Sequence, residues 1–326
     1  MTLIRSEDVI QFDGKDTLTR RVNVSLSMCS AGSLIYAKMG DWTWEAVNFA
    51  SGMNVYTARR ADGLPAYLSF YYFRVSSSEV LHPNGITFGD EIDVTSRVFD
   101  LGSQSVLTLH RVSRAGKLTD HQTLDPIEAY ERPRPDCMYV ETFNRWISRG
   151  DQTSNKGLVD ASPADFRHKH LSPLPEAYTP RSTARNARKA GSFFPAGMPG
   201  FFPKGPPFHT KYALDVARDL NGVRLVYFAS YFSIADIALS RAWRARGRED
   251  RHFIDRVALD YRLGFFGNAD PDAVFDIAVQ IWQDEQDPRH EFADIVISEQ
   301  GGERILAVAG IRTLLGASEP LTRGAT

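Results

Sequence analysis

The sequence predicts an α+β chain in which one unit, a helix wrapped by an antiparallel sheet, occurs twice. Within residues 28–51 an apolar triplet, Leu34-Ile35-Tyr36, is followed by Gly40, Asp41 and a run with helical spacing. Residues 220–238 echo it, with Leu225-Val226-Tyr227 standing where the first triplet stands. Each copy is followed by alternating apolar runs separated by turn-forming residues, the pattern of strands closed by hairpins. Residues 28–44 and 219–235 superpose without a gap in their pattern. A repeat of this length points to duplication of a domain, since solenoid periods are shorter.

Taken in order, residues 1–20 are polar and read as a loosely held arm, and Thr19 opens a first strand that runs to Ser27. Asp41 is a natural N-cap for the first helix, because its side chain can accept hydrogen bonds from the free N–H groups of the turn it opens. Trp42, Ala46, Phe49 and Ala50 then share one face, with Trp44 and Val47 beside them. Gly52 and Asn54 mark the end of the helix. Residues 56–60 and 66–75 read as two strands around an Asp62-Gly63 turn, a strong short hairpin signal. Residues 90–99 and 105–112 continue the sheet. From 116 to 205 proline is frequent and periodicity fades, so this stretch reads as a connection with short ordered pieces such as 138–147. The domains expected are therefore 1–115, a Pro-rich connection over 116–205, and 206–326. In the second copy a strand ends near Val216, a helix runs to about Trp243, and residues 244–251 form a charged loop. Strands follow at 273–283, 291–298 and 304–314, and the tail after Gly316 reads as disordered.

A length of 326 residues, with 43% hydrophobic and 24% charged residues, allows two cores of ordinary size. A net charge of −2 gives no electrostatic case for nucleic acid or an anionic membrane. The two cysteines, Cys29 and Cys137, form neither a metal knuckle nor a disulfide framework. The N-terminus carries Glu7, Asp8, Asp13 and Asp16 in place of a signal core, and no stretch reaches the ~18 apolar residues of a membrane span. A soluble cytoplasmic chain is expected, and a homodimer is compatible with it.

Two sets of residues carry a resemblance. Asp219-Leu220-Asn221-Gly222-Val223 with the later Tyr227 looks like the signature of hot-dog domains of the thioesterase type, and Gly89-Asp90-Glu91-Ile92 with the two following strands is similar to their sheet. Two such domains in one chain make a double hot dog. More narrowly, the chain resembles the bifunctional acyltransferase/decarboxylases of trans-acyltransferase polyketide pathways, of which the leinamycin enzyme LnmK is the type. The motifs are Met28-Cys29, Gly40-Asp41-Trp42-Thr43-Trp44, Tyr67-Leu68, Phe70-Tyr71-Tyr72, Leu81-His82-Pro83, Ser96-Arg97-Val98-Phe99, residues 105–111 and Phe143-Asn144-Arg145-Trp146. The resemblance implies that a malonyl-type coenzyme A thioester, methylmalonyl-CoA first of all, loses carbon dioxide. Its acyl group then passes to the phosphopantetheine thiol of an acyl carrier protein. It also implies that no metal or prosthetic group is bound and that a tyrosine is central.

The residues can be matched to that chemistry. Decarboxylation moves charge from a carboxylate to the thioester oxygen, so donors aimed at that oxygen stabilise the transition state selectively. The backbone N–H groups of Asp41 to Thr43, at the expected helix start, are candidate donors. Trp42 and Trp44 would supply a dry wall, or else belong to the core. Tyr67, Tyr71 and Tyr72 are candidate phenols, with Tyr67 and Tyr71 on one strand face and Tyr72 on the other. An ordinary phenol is about 0.1% ionised at neutral pH, so hydrogen bonding or proton delivery is easier for it than nucleophilic attack. Asn144 and Arg145 could orient the substrate carboxylate or amide arm. Ser33 and Asp41 are further polar candidates near the helix. Asp219 could act as a base in the second copy, where the His that often follows the glycine is missing; a purely structural second copy is the other reading. Arg181, Arg185, Arg188 and Lys189 form either a solvated face or a clamp for the phosphates of coenzyme A or a phosphopantetheine arm. His168 and His170 lack metal-pair spacing, and Cys29 reads as a small core residue. The competing functions are a hot-dog thioesterase or dehydratase and a non-catalytic carrier-protein binding module.

Overall fold

The structure is a computed structural model that describes residues 9–29, 33–116, 124–151, 153–195, 197–301 and 304–316. The first half contributes β1 (Val9–Phe12), β2 (Thr17–Asn23), α1 (Ser33–Ser51), β3 (Tyr67–Ser76), β4 (Glu91–Asp100), β5 (Ser105–Arg114), the short α2 (Pro126–Tyr130) and β6 (Cys137–Arg149). The crossing adds β7 (Leu158–Asp160), β8 (Ser172–Pro173), α3 (Arg181–Ala190) and β9 (Phe201–Pro203). The second half supplies β10 (Phe208–Ala213), α4 (Phe228–Ala245), α5 (Asp250–Ile254), β11 (Val257–Phe265), β12 (Val274–Asp284), β13 (His290–Glu299) and β14 (Ile305–Leu314).

The strands join one sheet in the order β1-β2-β4-β5-β6-β3-β11-β14-β13-β12-β10, with β7, β8 and β9 attached to β6, β4 and β12. The halves have the same topology. Within each, the five long strands lie in the order first, third, fourth, fifth, second. The two second strands, β3 and β11, pair antiparallel and close the seam, with Arg262 directly opposite Arg74. Like charges facing across a ladder repel, and Asp260 removes the conflict. Its carboxylate accepts from Arg74 at 2.9 and 3.0 Å and from Arg262 at 2.7 and 3.1 Å. Burial pulls its carboxyl up, but the two guanidiniums win and hold it below the ordinary carboxylate value.

Several expectations are corrected. Helix α1 begins at Ser33, so Leu34-Ile35-Tyr36 is helical and Asp41 is an interior residue, not an N-cap. The amides of Asp41 to Thr43 are thereby committed to the helix ladder. In the second half the matching triplet precedes α4, and Leu220 bridges Val226 there. The duplication holds in topology, but the residue-by-residue echo does not. The expected strand over 56–60 is a short 3-10 turn followed by one bridge, Arg59 to Pro65, around the Asp62-Gly63 turn, where Gly63 has φ +82°. The expected N-terminal arm is ordered from residue 9 as β1 and β2. The boundary at 115 cuts the first lobe short, because β6 lies between β5 and β3 and is indispensable to the sheet. Strand β11 had no counterpart in the expected strands. The expected tail after Gly316 falls outside the described residues.

Both long helices pack on one face of the sheet and on each other in a shared core. Tyr36 stacks on Phe232 with ring centroids 4.2 Å apart. Gly40 is required at the crossing, because a Cβ there would overlap the Phe228 ring. Below α1 the core is polar. Thr43 Oγ1 lies 2.9 Å from His110 Nε2 and 3.2 Å from Thr142 Oγ1, and Ser96 Oγ lies 2.8 Å from His110 Nδ1. His110 is fully buried, and burial first, then nearby Arg20, pushes its imidazole down to about 3. Arg20 in turn pairs with Glu45 of α1.

Two outcomes are expected. Helix propensity alone would make Gly40→Ala stabilising by roughly 1 kcal/mol, while overlap in a packed core costs roughly 1–3 kcal/mol. The overlap should win, lowering the urea midpoint, and adding Phe228→Leu should recover it. The second concerns acid. The fold holds His110 neutral, whereas the unfolded chain protonates it near 6.5, so the unfolded state takes up the extra proton. Stability is thus fully present above about pH 6.5 and should fall by roughly 1.4 kcal/mol per pH unit down to about pH 3. Urea titrations of wild type and His110→Gln across this window should show the slope shrinking in the variant.

Candidate functional site

A cavity of about 310 Å³ opens where α1 meets the start of α4, walled by both lobes. Asp41 and Trp44 enter from α1, Tyr56 from the 3-10 turn, and Tyr67 from β3. The second lobe adds Asn221, Tyr227, Phe228 and Asn268. Among the described residues no lysine or arginine lines it.

Asp41 reaches the cavity because Gly40 lets the Phe228 ring lie against α1 just before it. Its side chain is open to solvent at the cavity mouth, yet the protein packed around it raises its carboxyl. Burial is the first cause, Glu45 adds to it, and Lys38 and Arg20 act against it. Its negative charge is felt by two phenols. Tyr56 is pushed up to about 12 by burial, then by Glu45 and Asp41. Tyr227 is pushed up to about 12 by burial and Asp41. At neutral pH both are therefore O–H donors rather than phenolates. The Tyr56 ring also packs on Trp44, 5.4 Å between centroids.

Helix α4 starts at Phe228 after Tyr227, which makes no side-chain capping bond. The N–H groups of Phe228 and Ala229 have no backbone partner among the described residues. Unsatisfied amides and the positive end of the dipole therefore lie at the wall formed by Tyr227 and Phe228. Asn268 braces that wall, accepting from the Val226 N–H at 2.9 Å and donating to the Val226 carbonyl at 3.2 Å.

The expected site residues separate into three groups. Asp41, Trp44 and Tyr67 meet in the cavity. Tyr71 and Arg145 lie in two neighbouring cavities, with the Arg145 guanidinium 5.3 Å above the Tyr71 ring. The remainder are elsewhere. A bulge in the β3–β6 pairing between Phe70 and Tyr72 breaks the alternation, so Tyr72 joins Tyr71 in the outer cluster and packs on Phe193, fully buried. Trp42 is core, and Thr43 is spent on Met39 and the His110 network. Asn144 is fully buried on β6, with neither polar atom partnered among the described residues. None of these four touches the cavity. Ser33 opens α1, and its side chain lies outside the described residues.

Asp219 is also structural. It is buried and accepts from the Tyr212 hydroxyl at 2.8 Å and the Asp215 N–H at 2.9 Å, which leaves it poorly placed as a base. Asn221 does reach the cavity, although its carbonyl oxygen is held by the N–H groups of Val223 and Leu225. Burial, then Asp90, raises the Cys29 thiol, the opposite of an activated nucleophile. His168 binds Asp100 and His170 the Ala50 carbonyl. Tyr56, Tyr227, Asn268 and the α4 start were missed as site residues. One signal was available: an aromatic residue directly before a helix leaves the N-terminus uncapped.

Comparisons with known proteins agree with this architecture. Two solved structures are similar in fold. One is a candidate oleoyl thioesterase from Lactobacillus plantarum, at TM-score 0.60 and 8% identity, covering 94% of this chain and 99% of that one. The other is the 12:0-ACP thioesterase from Umbellularia californica, at TM-score 0.53 and 10% identity, covering 92% of this chain and 94% of that one. At such identities the likeness is one of fold. None of the curated protein sequences matches this chain. Residues 19–195, more than half of the chain and running from within β2 through α1, β3, β4, β5 and β6, match the model of the LnmK N-terminal Hot Dog Fold domain, and the chain belongs to that family.

Proposed function

We propose that this chain is a bifunctional acyltransferase/decarboxylase. It would decarboxylate a (methyl)malonyl-CoA thioester and pass the resulting propionyl or acetyl group to the phosphopantetheine thiol of an acyl carrier protein, with no metal or prosthetic group. The observation that carries the reading is the cavity's composition: a raised carboxyl, phenols that stay protonated, and open helix amides, with no lysine or arginine among the lining residues described.

A substrate carboxylate in such a cavity finds no cation among the lining residues described, and loss of CO₂ removes its charge. The bond between carboxyl carbon and α-carbon breaks, and its electron pair moves into the thioester enolate. The Phe228 and Ala229 amides and the phenols of Tyr67 and Tyr227 are the donors that would hold the enolate oxygen. Protonated Asp41 then delivers its proton to the α-carbon. As a carboxylate it takes the proton of the carrier thiol, whose sulfur attacks the thioester carbonyl. The same donors hold the tetrahedral oxyanion until it expels the coenzyme A thiolate, which solvent protonates. Two steps thus share one set of donors.

Incubation with methylmalonyl-CoA and holo-carrier protein should yield a carrier heavier by a propionyl group in intact-mass analysis. Release of free acid would instead mark a thioesterase, and tight binding without turnover a binding module. Asp41→Asn should slow decarboxylation about 100-fold or more. Tyr67→Phe and Tyr227→Phe should each cost on the order of 100-fold, and Tyr72→Phe should leave the rate unchanged. Because Asp41 is needed protonated and its carboxyl is raised, the wild-type rate should decline as pH rises through that raised value. Asp41→Asn should lose this pH dependence.

A further inference from the structure

The reacting cavity continues toward the outer face of the sheet. It shares Ser69, Phe70, Ile147, Val226, Phe228 and Asn268 with a second cavity of about 210 Å³. That cavity shares Tyr71 and Arg145 with a third, of about 430 Å³, on which Arg181 and Arg185 of α3 border. Arg188, from the next turn of α3, lines the second. Three adjoining cavities therefore form a trough from Asp41 to α3, each sharing walls with the next.

Sequence and packing together give α3 its charge pattern. Ala184 and Ala187 are fully buried against Tyr72, Phe143 and Val308, which seats the helix flat on the sheet. Residues 181, 185 and 188 recur at helical spacing, so their guanidiniums form one stripe along the trough. Most of this chain's arginines are answered by carboxylates, but Arg181, Arg185 and Arg188 have no acidic partner among the described residues. Among the described residues the one acid lining these two outer cavities, Asp160, is paired with Arg145. The floor is aromatic: Arg181 lies 5.9 Å from the Phe143 ring centroid and Arg188 6.0 Å from that of Phe266. Exposed guanidiniums over an aromatic floor match a nucleotide bearing several phosphates.

We infer that this trough seats coenzyme A, with Arg181, Arg185 and Arg188 on its phosphates and the pantetheine arm lying past Tyr71 toward Asp41. The inference rests on the proposed function, since it takes the Asp41 cavity as the seat of a pantetheine-linked thioester. A carrier protein's arm offers one phosphodiester and no base, so three cations and a ring-lined floor favour the coenzyme.

The test separates binding from chemistry. Calorimetry with free coenzyme A is compared for wild type, Arg185→Gln/Arg188→Gln and the triple variant that adds Arg181→Gln. Arg185 and Arg188 make no hydrogen bond among the described residues, so the double variant tests charge without disturbing the fold. The double variant should weaken coenzyme A binding on the order of 10-fold, the triple variant further, and both should flatten its salt dependence. The catalytic arm uses methylmalonyl-pantetheine, which lacks phosphate; its turnover should be equal in wild type and variants. Unchanged coenzyme A affinity in the triple variant would overturn the inference. So would a raised KM for the carrier protein alone, which would assign the arginines to the carrier's phosphodiester. If no thioester turns over but coenzyme A binding still falls as expected, the reaction assignment fails and the phosphate seat stands.

Discussion

The pairing of β3 with β11 is the constraint on which the rest of the molecule depends. Each lobe alone is a curled sheet with a helix on its inner face, and its second strand would be an open edge inviting association. Joining the two edges satisfies both rows of backbone groups and brings α1 against α4. The ladder is antiparallel and the lobes share one topology, so the seam acts as a pseudo-two-fold that sets Arg74 opposite Arg262. Asp260 breaks that symmetry by accepting from both. The cavity follows from this geometry, since it lies where one lobe's helix middle meets the other lobe's helix start.

The pseudo-symmetry is not carried into the chemistry. In the first lobe the helix is entered two turns before Asp41, and its polar underside is spent on the Thr43–His110–Ser96 chain. In the second lobe the helix begins at the cavity wall, where Tyr227 and Phe228 line it, and its first turn has no side-chain cap. One lobe thus offers a titratable side chain and the other fixed dipoles. A site that must donate to an oxyanion and also move a proton needs both, and duplication followed by divergence gives a direct route to them.

Much of the fold was legible. Strands β4 and β12 follow period-two patterns between turn residues, β14 reads as a run apolar on both faces, and the duplication was visible in the arrangement of strands after each helix. Strand β11 is absent from the expected strands although Leu259, Tyr261, Leu263 and Phe265 alternate with Asp260, Arg262 and Gly264; what the local sequence hides is the reason for Asp260 and Arg262, which is Arg74, far away in the chain. The start of α1 was misplaced for a related reason. Gly40-Asp41 reads locally as a break and a cap, whereas Gly40 is demanded by the ring of Phe228 on the other lobe. Of the candidate site, Asp41 and Trp44 were legible in the first helix motif and Tyr67 in the tyrosine cluster of the strand after it. Tyr56 and Tyr227 were not, since nothing local tells a phenol in a cavity from one on a surface. The bulge that turns Tyr72 outward is equally invisible to a strict alternation rule.

Charge is partitioned along the trough in the sense that the proposed chemistry requires. A cation beside the substrate carboxylate would stabilise the ground state and raise the barrier to losing CO₂. The same cation placed at the far end of the pantetheine arm adds binding energy without touching the reacting atoms. The molecule keeps these regions apart: Asp41 sits in a cavity lined by no lysine or arginine among the described residues, and the guanidiniums gather on α3, on the opposite face of the sheet. On the proposed reading, binding through the arginines would hold a thioester in an environment that does not favour its carboxylate. Ground-state affinity and decarboxylation would then be assigned to different members of a row of adjoining cavities.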